Sequence, residues 1–419
     1  MEPKQGKRYG DNMAKQGMSM GTGKASVLLC LCIGGFPAIA TAQERRLNIS
    51  ADIYTRYDSN LARSNKANSS LRGLHRSDIT VTPSITADIL YPVGRHQFSL
   101  TGGIGYDIHT RNSRLDRERI GLDGGALLAI SRCNANITAG ITRRQSDLGE
   151  IGAFAGEEVR SVNNTETVFT TNADVSCGNS FGLRPFVTVG YQNAQNSNII
   201  RQRTDRHMLS YGGGLGYVHP TIGNMRLFVT RSETRYDNQI IPGVGENGYD
   251  VTSFGASFER NIGSRLTGSV QLSWTDLNSR APGTPGFNGF NWGVDLTGQV
   301  NERLLVHAGL SRNVASTLAV DANYHVDTMY QFDTSYALTS RLTAKVGVTH
   351  SPRRFYGSST EFGPFLSRDR QTMIFGSLTF ARSDRLTFAL DYAHDIRNAN
   401  GDFYDYTNDH VGLRASLKL

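Results

Sequence analysis

From about residue 47 onward the chain alternates apolar and polar positions in long runs, and the alternation persists to the last residue. In "NDHVGLRASLKL", Val411, Leu413, Ala415, Leu417 and Leu419 share one parity, while His410, Gly412, Arg414, Ser416 and Lys418 share the other. A period of two places these sets on opposite faces of a strand. The rhythm recurs in Ile79, Val81, Pro83, Ile85, Ala87, Ile89 and in Phe98, Leu100, Gly102, Ile104, Tyr106, Ile108. It returns in the runs that begin at Leu266, Leu342 and Leu386. Strands of soluble sheets usually have about 5 or 6 residues, whereas strands tilted across a bilayer need about 9 to 11. The runs here are of the longer kind. A terminal strand with one apolar face and no partner invites aggregation, so the last strand is expected to pair with the first, Leu47 to Asp58.

Between the runs the connections alternate in length. Tight ones fall at "PVGR", "SRCN", "CGNSFG", "HPTIGN", "NIGSR", "NER", "LTSR" and "RSDR". Long polar ones include Ser59 to Gly73, Gln145 to Asn163, Asn278 to Gly289 and Arg353 to Arg368. Eight tight turns and nine long loops give 18 strands, with both chain ends on the tight-turn side. The expected fold is all-β: a closed antiparallel transmembrane β-barrel of about 18 strands, with short periplasmic turns and long extracellular loops. Strands running toward the long loops end in an aromatic followed by polar residues, at Tyr57, Tyr106, Tyr191, Tyr236, Trp274 and Tyr392. That placement reads as an aromatic girdle at the membrane interface.

The first 42 residues add an export signal: basic Lys4, Lys7, Arg8, Lys15 and Lys24, an apolar run from Ala25 to Phe36, and small residues at Ala40-Thr41-Ala42. The reading is a signal peptide over 1–42 and an outer-membrane β-barrel over 43–419. Beyond the leader no apolar run approaches the 18 or so residues of a membrane helix. The leader carries 5 of 44 basic and 2 of 37 acidic residues, so the remaining 39 and 35 leave +4. Those basic residues are Arg except for Lys66, Lys345 and Lys418, and none are gathered into a stripe, which sets nucleic acid aside as a partner.

A resemblance narrows the family. "RYDSNLAR" supplies Tyr57, Asp58 and Asn60, and the following strand supplies Ser77, Asp78 and Pro83, then Gly94 and Arg95 at a turn. These first 60 or so residues after the leader resemble the family described as "Putative beta-barrel porin 2", while the rest agrees in strand rhythm. The resemblance implies an outer-membrane barrel associated with exopolysaccharide production. It also implies a polysaccharide substrate, a periplasmic export lipoprotein as partner, and the barrel-insertion machinery as reader of the closing strand. Such closing strands usually finish in Phe or Trp; Leu419 departs from that.

Cys133 opens the fifth strand and Cys177 ends the sixth, equidistant from the loop between them and on one parity. In an oxidising periplasm they are expected to form a disulfide at the periplasmic rim. The polar parity assigns Asp52, Arg56, Asp78, Asp88, Asp107, His109, Asp123, Asp174, Asp295, His307, His325, Asp327, Asp333, Lys345 and Asp391 to the lumen. A barrel of 16 to 18 strands leaves a water-filled interior that tolerates such charge. These residues steer a hydrated solute or simply pair with one another.

Catalysis finds little support. His394 and Asp395, like Asp409 and His410, are adjacent in sequence and therefore face opposite sides of their strands. No HExxH or CxxC spacing occurs, and no enzyme, metal or cofactor is expected. The segment "RRFYGSSTEFGPFLSR" combines Arg353, Arg354 and Arg368 with Phe355, Tyr356, Phe362 and Phe365 as a loop suited to glycan contact, headgroup anchoring or plugging. The function expected first is an outer-membrane conduit or scaffold for polysaccharide export, embedded in outer-membrane lipids. The alternatives are a general diffusion porin for small solutes, a non-conducting structural barrel and an outer-membrane hydrolase.

Overall fold

The structure is a computed structural model that describes residues 45–150, 162–263, 265–316, 322–357 and 366–419. The leader read in residues 1–42 lies outside them, as do Phe362 and Phe365. Eighteen strands form one sheet: β1 (Arg46–Asp58), β2 (Asp78–Val93), β3 (His96–His109), β4 (Arg117–Ile130), β5 (Cys133–Gln145), β6 (Thr165–Cys177), β7 (Gly182–Asn196), β8 (Arg206–His219) and β9 (Gly223–Ile241) make the first half. The second half comprises β10 (Gly245–Ile262), β11 (Leu266–Ser279), β12 (Phe287–Gln299), β13 (Leu304–Ser316), β14 (Tyr324–Ala337), β15 (Leu342–Tyr356), β16 (Arg368–Ala381), β17 (Leu386–Ala399) and β18 (Tyr406–Lys418). Each strand pairs antiparallel with its sequence neighbours, and β1 pairs with β18 from Ser50 opposite Lys418 to Asp58 opposite His410. The sheet is therefore closed, leaving no unpaired edge to face lipid.

Register follows parity. Leu47, Ile53, Ile85, Ile104, Val187, Leu227, Leu272 and Leu413 stand exposed on the outer wall, the inverse of a soluble core. Because a one-residue slip would turn this apolar set into the lumen, the lipid itself holds the register. Proline interrupts the ladder twice on this wall: β2 skips pairing with β3 at Thr82 and Pro83, and β14 skips pairing with β15 opposite Ser351 and Pro352. A proline nitrogen has no hydrogen to donate there. At the tight turn between β2 and β3, Gly94 adopts φ +59°, the left-handed region where glycine carries no side-chain penalty.

The strands have 13 to 19 residues, longer than a bilayer crossing requires, and β9 and β10 are the longest. Their excess lies at the long-loop end, where the outer wall turns ionic: His207 meets Asp237 at 2.6 Å, Arg231 meets Glu233 at 3.0 Å, and His394 meets Asp409 at 2.8 Å. Of the expected girdle, Tyr57, Tyr106, Tyr191 and Tyr392 are exposed on the outer wall, and Trp274 packs edge-on against Phe290. Tyr236 departs from it. It shares the inward parity of Phe228, Thr230 and Thr234, is 2% exposed, and packs with Tyr249, Leu277 and Tyr324 inside the mouth.

Cys133 and Cys177 stand opposite each other at the short-turn rim, Cα atoms 4.0 Å apart, and are joined as a disulfide. An unreduced tryptic digest of the purified protein is expected to contain the two cysteine peptides as one linked mass that separates on reduction; two free thiols would exclude the bond.

Candidate transport lumen

The inner wall is polar over most of its height because the inward parity of each strand carries hydroxyl, amide and charged groups. Most of the expected lumen residues are engaged with a neighbour. Near the short turns Arg46 and Asp88 pair at 2.8 Å, and above them Thr86 donates to Asp52 at 2.7 Å. Thr82 donates to Asp107 at 2.6 Å, and His109 meets Asp116 at 3.1 Å. Tyr54 donates to Asp391 at 2.9 Å across the intervening strand β18, where Gly412 has no side chain to block it. His307 sits between Asp295 at 2.8 Å and Asp333 at 2.9 Å, and Asp333 also holds Lys345 at 3.1 Å. Arg226 lies over the Phe186 ring at 4.7 Å and meets Asp174 at 3.4 Å. His325 packs beside Phe355, and Asp327 accepts from Ser351. Asp123 stays exposed on the inner wall.

Two motif residues quoted from the first hairpin are structural clasps. Asp78 is buried and accepts four hydrogen bonds from the β3–β4 loop: Thr110 Oγ1 at 2.8 Å, the Arg111 nitrogen at 3.0 Å, the Asn112 nitrogen at 2.9 Å and Asn112 Nδ2 at 2.8 Å. Asn60 donates through its backbone to Asn408 Oδ1 at 2.8 Å and through its side chain to the Thr407 carbonyl at 2.9 Å. Asn408 in turn donates to Asp58 at 3.0 Å. A buried amide that meets both of its needs is stable only in this one arrangement. The clasp therefore fixes the loop after β1 to the seam where the barrel closes. Asn408 sits on the polar parity of its strand as a lumen residue would, so nothing in the sequence marks it as a clasp.

The loops after β1 and β5 fold over the mouth together. The first carries a short helix, α1 (Lys66–Leu71), begun by an Asn65 side-chain cap. Leu61, Ala62 and Leu74 from it, Leu115 from the β3–β4 loop, and Leu148 and Val162 from the β5–β6 loop form one buried cluster. Arg72 threads it, donating to the carbonyls of Ala62 at 3.2 Å and Leu148 at 3.0 Å. Arg63 pairs with Asp147 at 3.0 Å. Burial works against the Arg63 charge, but Asp147 together with Tyr406, Asp395 and Asp58 outweighs it, and the guanidinium is held more firmly protonated than usual. Six strands round the closed sheet from β5, Arg397 of β17 donates to the Gly149 carbonyl. That contact ties the start of the β5–β6 loop to β17.

Arg397 is one of two arginines that share a carboxylate. Asp369 accepts from Arg397 Nε at 2.7 Å and from Arg353 Nε at 2.8 Å, its own side chain fully buried. This corrects the expected glycan-contact loop. β15 runs on through Tyr356, so Arg353, Arg354, Phe355 and Tyr356 are strand residues. Arg353 is committed to Asp369, Phe355 is buried against Ala322, Leu366 and Tyr404, and Tyr356 stacks on Tyr324 at 5.0 Å. Only Arg354 and Arg368 of the described members stay exposed. The physical reason is the closed sheet: each strand continues upward as long as its neighbours do.

The adjacent His and Asp residues divide between the two walls: His394 and Asp409 meet on the outer wall at 2.8 Å, while Asp395 and His410 lie inside, 3.9 Å apart. Among the described residues no group of three metal-ligating side chains converges.

No curated protein matches the chain. Among solved structures it is similar to OccK2 of Pseudomonas aeruginosa in complex with glucuronate, at 10% identity over 90% of this chain and 98% of that one, with a TM-score of 0.46. A BenF-like porin from Pseudomonas fluorescens gives 11% identity over 90% and 99%, with a TM-score of 0.47. OccAB3 of Acinetobacter baumannii gives 10% over 89% and 99%, with a TM-score of 0.43. The family model described as "Putative beta-barrel porin 2" matches residues 47–419, every strand but the first residue of β1. With a closed 18-stranded wall, apolar outside and polar within, the chain belongs to that family and is an outer-membrane β-barrel.

Proposed function

We propose that the barrel is a passive diffusion channel for small hydrated solutes, narrowed at its mouth by loops that fold inward. The observation that carries this reading is the polar inner wall lying beneath the tie from Arg397 to the Gly149 carbonyl. A channel wall of paired, hydrated groups lets water and small solutes exchange contacts at little cost. A bulky polymer would have to displace a loop fixed by a buried ion pair and an apolar cluster. Polysaccharide export, the first expectation and one drawn from the family resemblance, gains no support from the segment assigned to glycan contact, because its described arginines and aromatics are largely committed to packing. The partners this reading calls for are outer-membrane lipids around the apolar belt and the insertion machinery that places the barrel.

Planar-bilayer recording tests it. The purified protein is expected to give discrete conductance steps, unaltered by any polysaccharide gradient. A silent wild type that opens only after residues 148–161 are deleted would favour a plugged scaffold. Silence in both would end the channel reading.

A further inference from the structure

We infer that the inner wall just beneath the mouth holds a binding site for small organic carboxylates, built on Arg119 and Arg144; the inference rests on the channel reading and names its solute class.

Arg119 lies on β4 two residues below buried Arg117, and Arg144 lies on β5 next to Arg143. Parity settles their direction. Glu118 and Arg143 pair with each other on the outer wall, so Arg119 and Arg144 both face the lumen. Ile120 stands opposite Arg143 in the register, which makes Arg119 and Arg144 cross-strand neighbours. Among the described residues, neither guanidinium makes a hydrogen bond or an ion pair. Nearby inward arginines differ: Arg56 holds Asp58 at 2.7 Å, and Arg117 donates to two backbone carbonyls at 3.0 Å.

Two like charges directly across a strand pair repel each other. Arg56 also lies within electrostatic range of Arg119, adding to the repulsion, while Asp107 is the acid that faces it. Asp107, which accepts from Thr82, brings one negative charge against the two guanidinium groups of Arg119 and Arg144. Such an arrangement is stable when an anion shares the cluster, and planar guanidinium forks match a carboxylate in bidentate geometry. The space exists. One step down the barrel Gly121 stands opposite Thr142, nothing lies within 4 Å of where a side chain on Gly121 would begin, and the Thr142 side chain is exposed to the lumen. The Thr142 hydroxyl can donate to the second oxygen of a carboxylate or to a neighbouring hydroxyl of the solute.

The test is calorimetric titration of the full-length barrel in detergent with succinate, inorganic phosphate and chloride, paired with bilayer recording of the same preparation. Succinate is expected to bind more tightly than phosphate or chloride. In the Arg119→Gln/Arg144→Gln double variant, succinate affinity is expected to fall about tenfold or more, the loss that accompanies removal of one charge-assisted contact. The Arg119→Lys/Arg144→Lys variant keeps both charges and is expected to keep anion binding but lose the preference for succinate over phosphate. Absence of succinate binding, equal affinity for phosphate, or a Gln double variant that binds as the wild type does would overturn the site. Binding without conductance would leave the site standing and remove the channel; conductance without binding would do the reverse.

Discussion

Replacing Asp369 by alanine is expected to destabilise the barrel more than any other single change at its mouth. The carboxylate is fully buried and holds both Arg353 and Arg397, so its removal leaves two guanidinium groups in a dry environment without their anion. Breaking a buried pair by deleting one partner costs about 3–5 kcal/mol, because the remaining charge is uncompensated. The temperature at which the folded band converts to the unfolded one on an unboiled gel should drop accordingly. A second consequence is functional. Freed from Asp369, Arg397 no longer points at the Gly149 carbonyl, and the single-channel conductance should rise as the β5–β6 loop comes away from β17. Asp369→Asn, which keeps shape and loses charge, should fall between the two. An alanine variant with wild-type melting and conductance would show that the buried pair does not hold the loop.

The next largest effect belongs to the outer wall. Leu413 lies midway along β18 on the lipid-facing parity and is 57% exposed. Leu413→Arg is expected to cost about 2–4 kcal/mol in a bilayer, the penalty for a charge on the lipid face near the midplane. Ser416, on the same strand with the opposite parity, faces water in the lumen, and Ser416→Arg should leave stability nearly unchanged. Equilibrium unfolding in lipid vesicles measures both. Equal costs would mean that the two faces of β18 are not what the register makes them.

Much of the fold was legible because a barrel in lipid repeats one instruction. Lipid demands apolar side chains on one parity, water on the other, and the alternation counts the strands. The closing pair and the Cys133–Cys177 register are consequences of that count and of loop symmetry. The site was less legible. In "RERI" and "TRRQ" charges fall on both faces, since Glu118 and Arg143 pair outside while Arg119 and Arg144 point inside, and the alternation that flags a lumen residue disappears. Tyr236 carries the same Tyr-Asp signature as Tyr57, yet its parity with Phe228 sends it inward. The polar "RRFY" reads as loop because its apolar rhythm is lost, although its neighbours keep it in the sheet. Loops at the mouth carry no periodicity at all, so the reach of Arg397 to Gly149 had no signal in the chain.

The seam also dictates when this molecule can become whole. The strand that completes the cylinder is the eighteenth in chain order, and the Asn60–Asn408 clasp joins residues 348 positions apart. A polypeptide cut short by a single hairpin would present two bare ribbons to hydrocarbon and would lack the amide that locks its first loop. Assembly is thus all or nothing with respect to synthesis, and prematurely ended copies should be left for periplasmic proteases instead of accumulating as leaky half-pores.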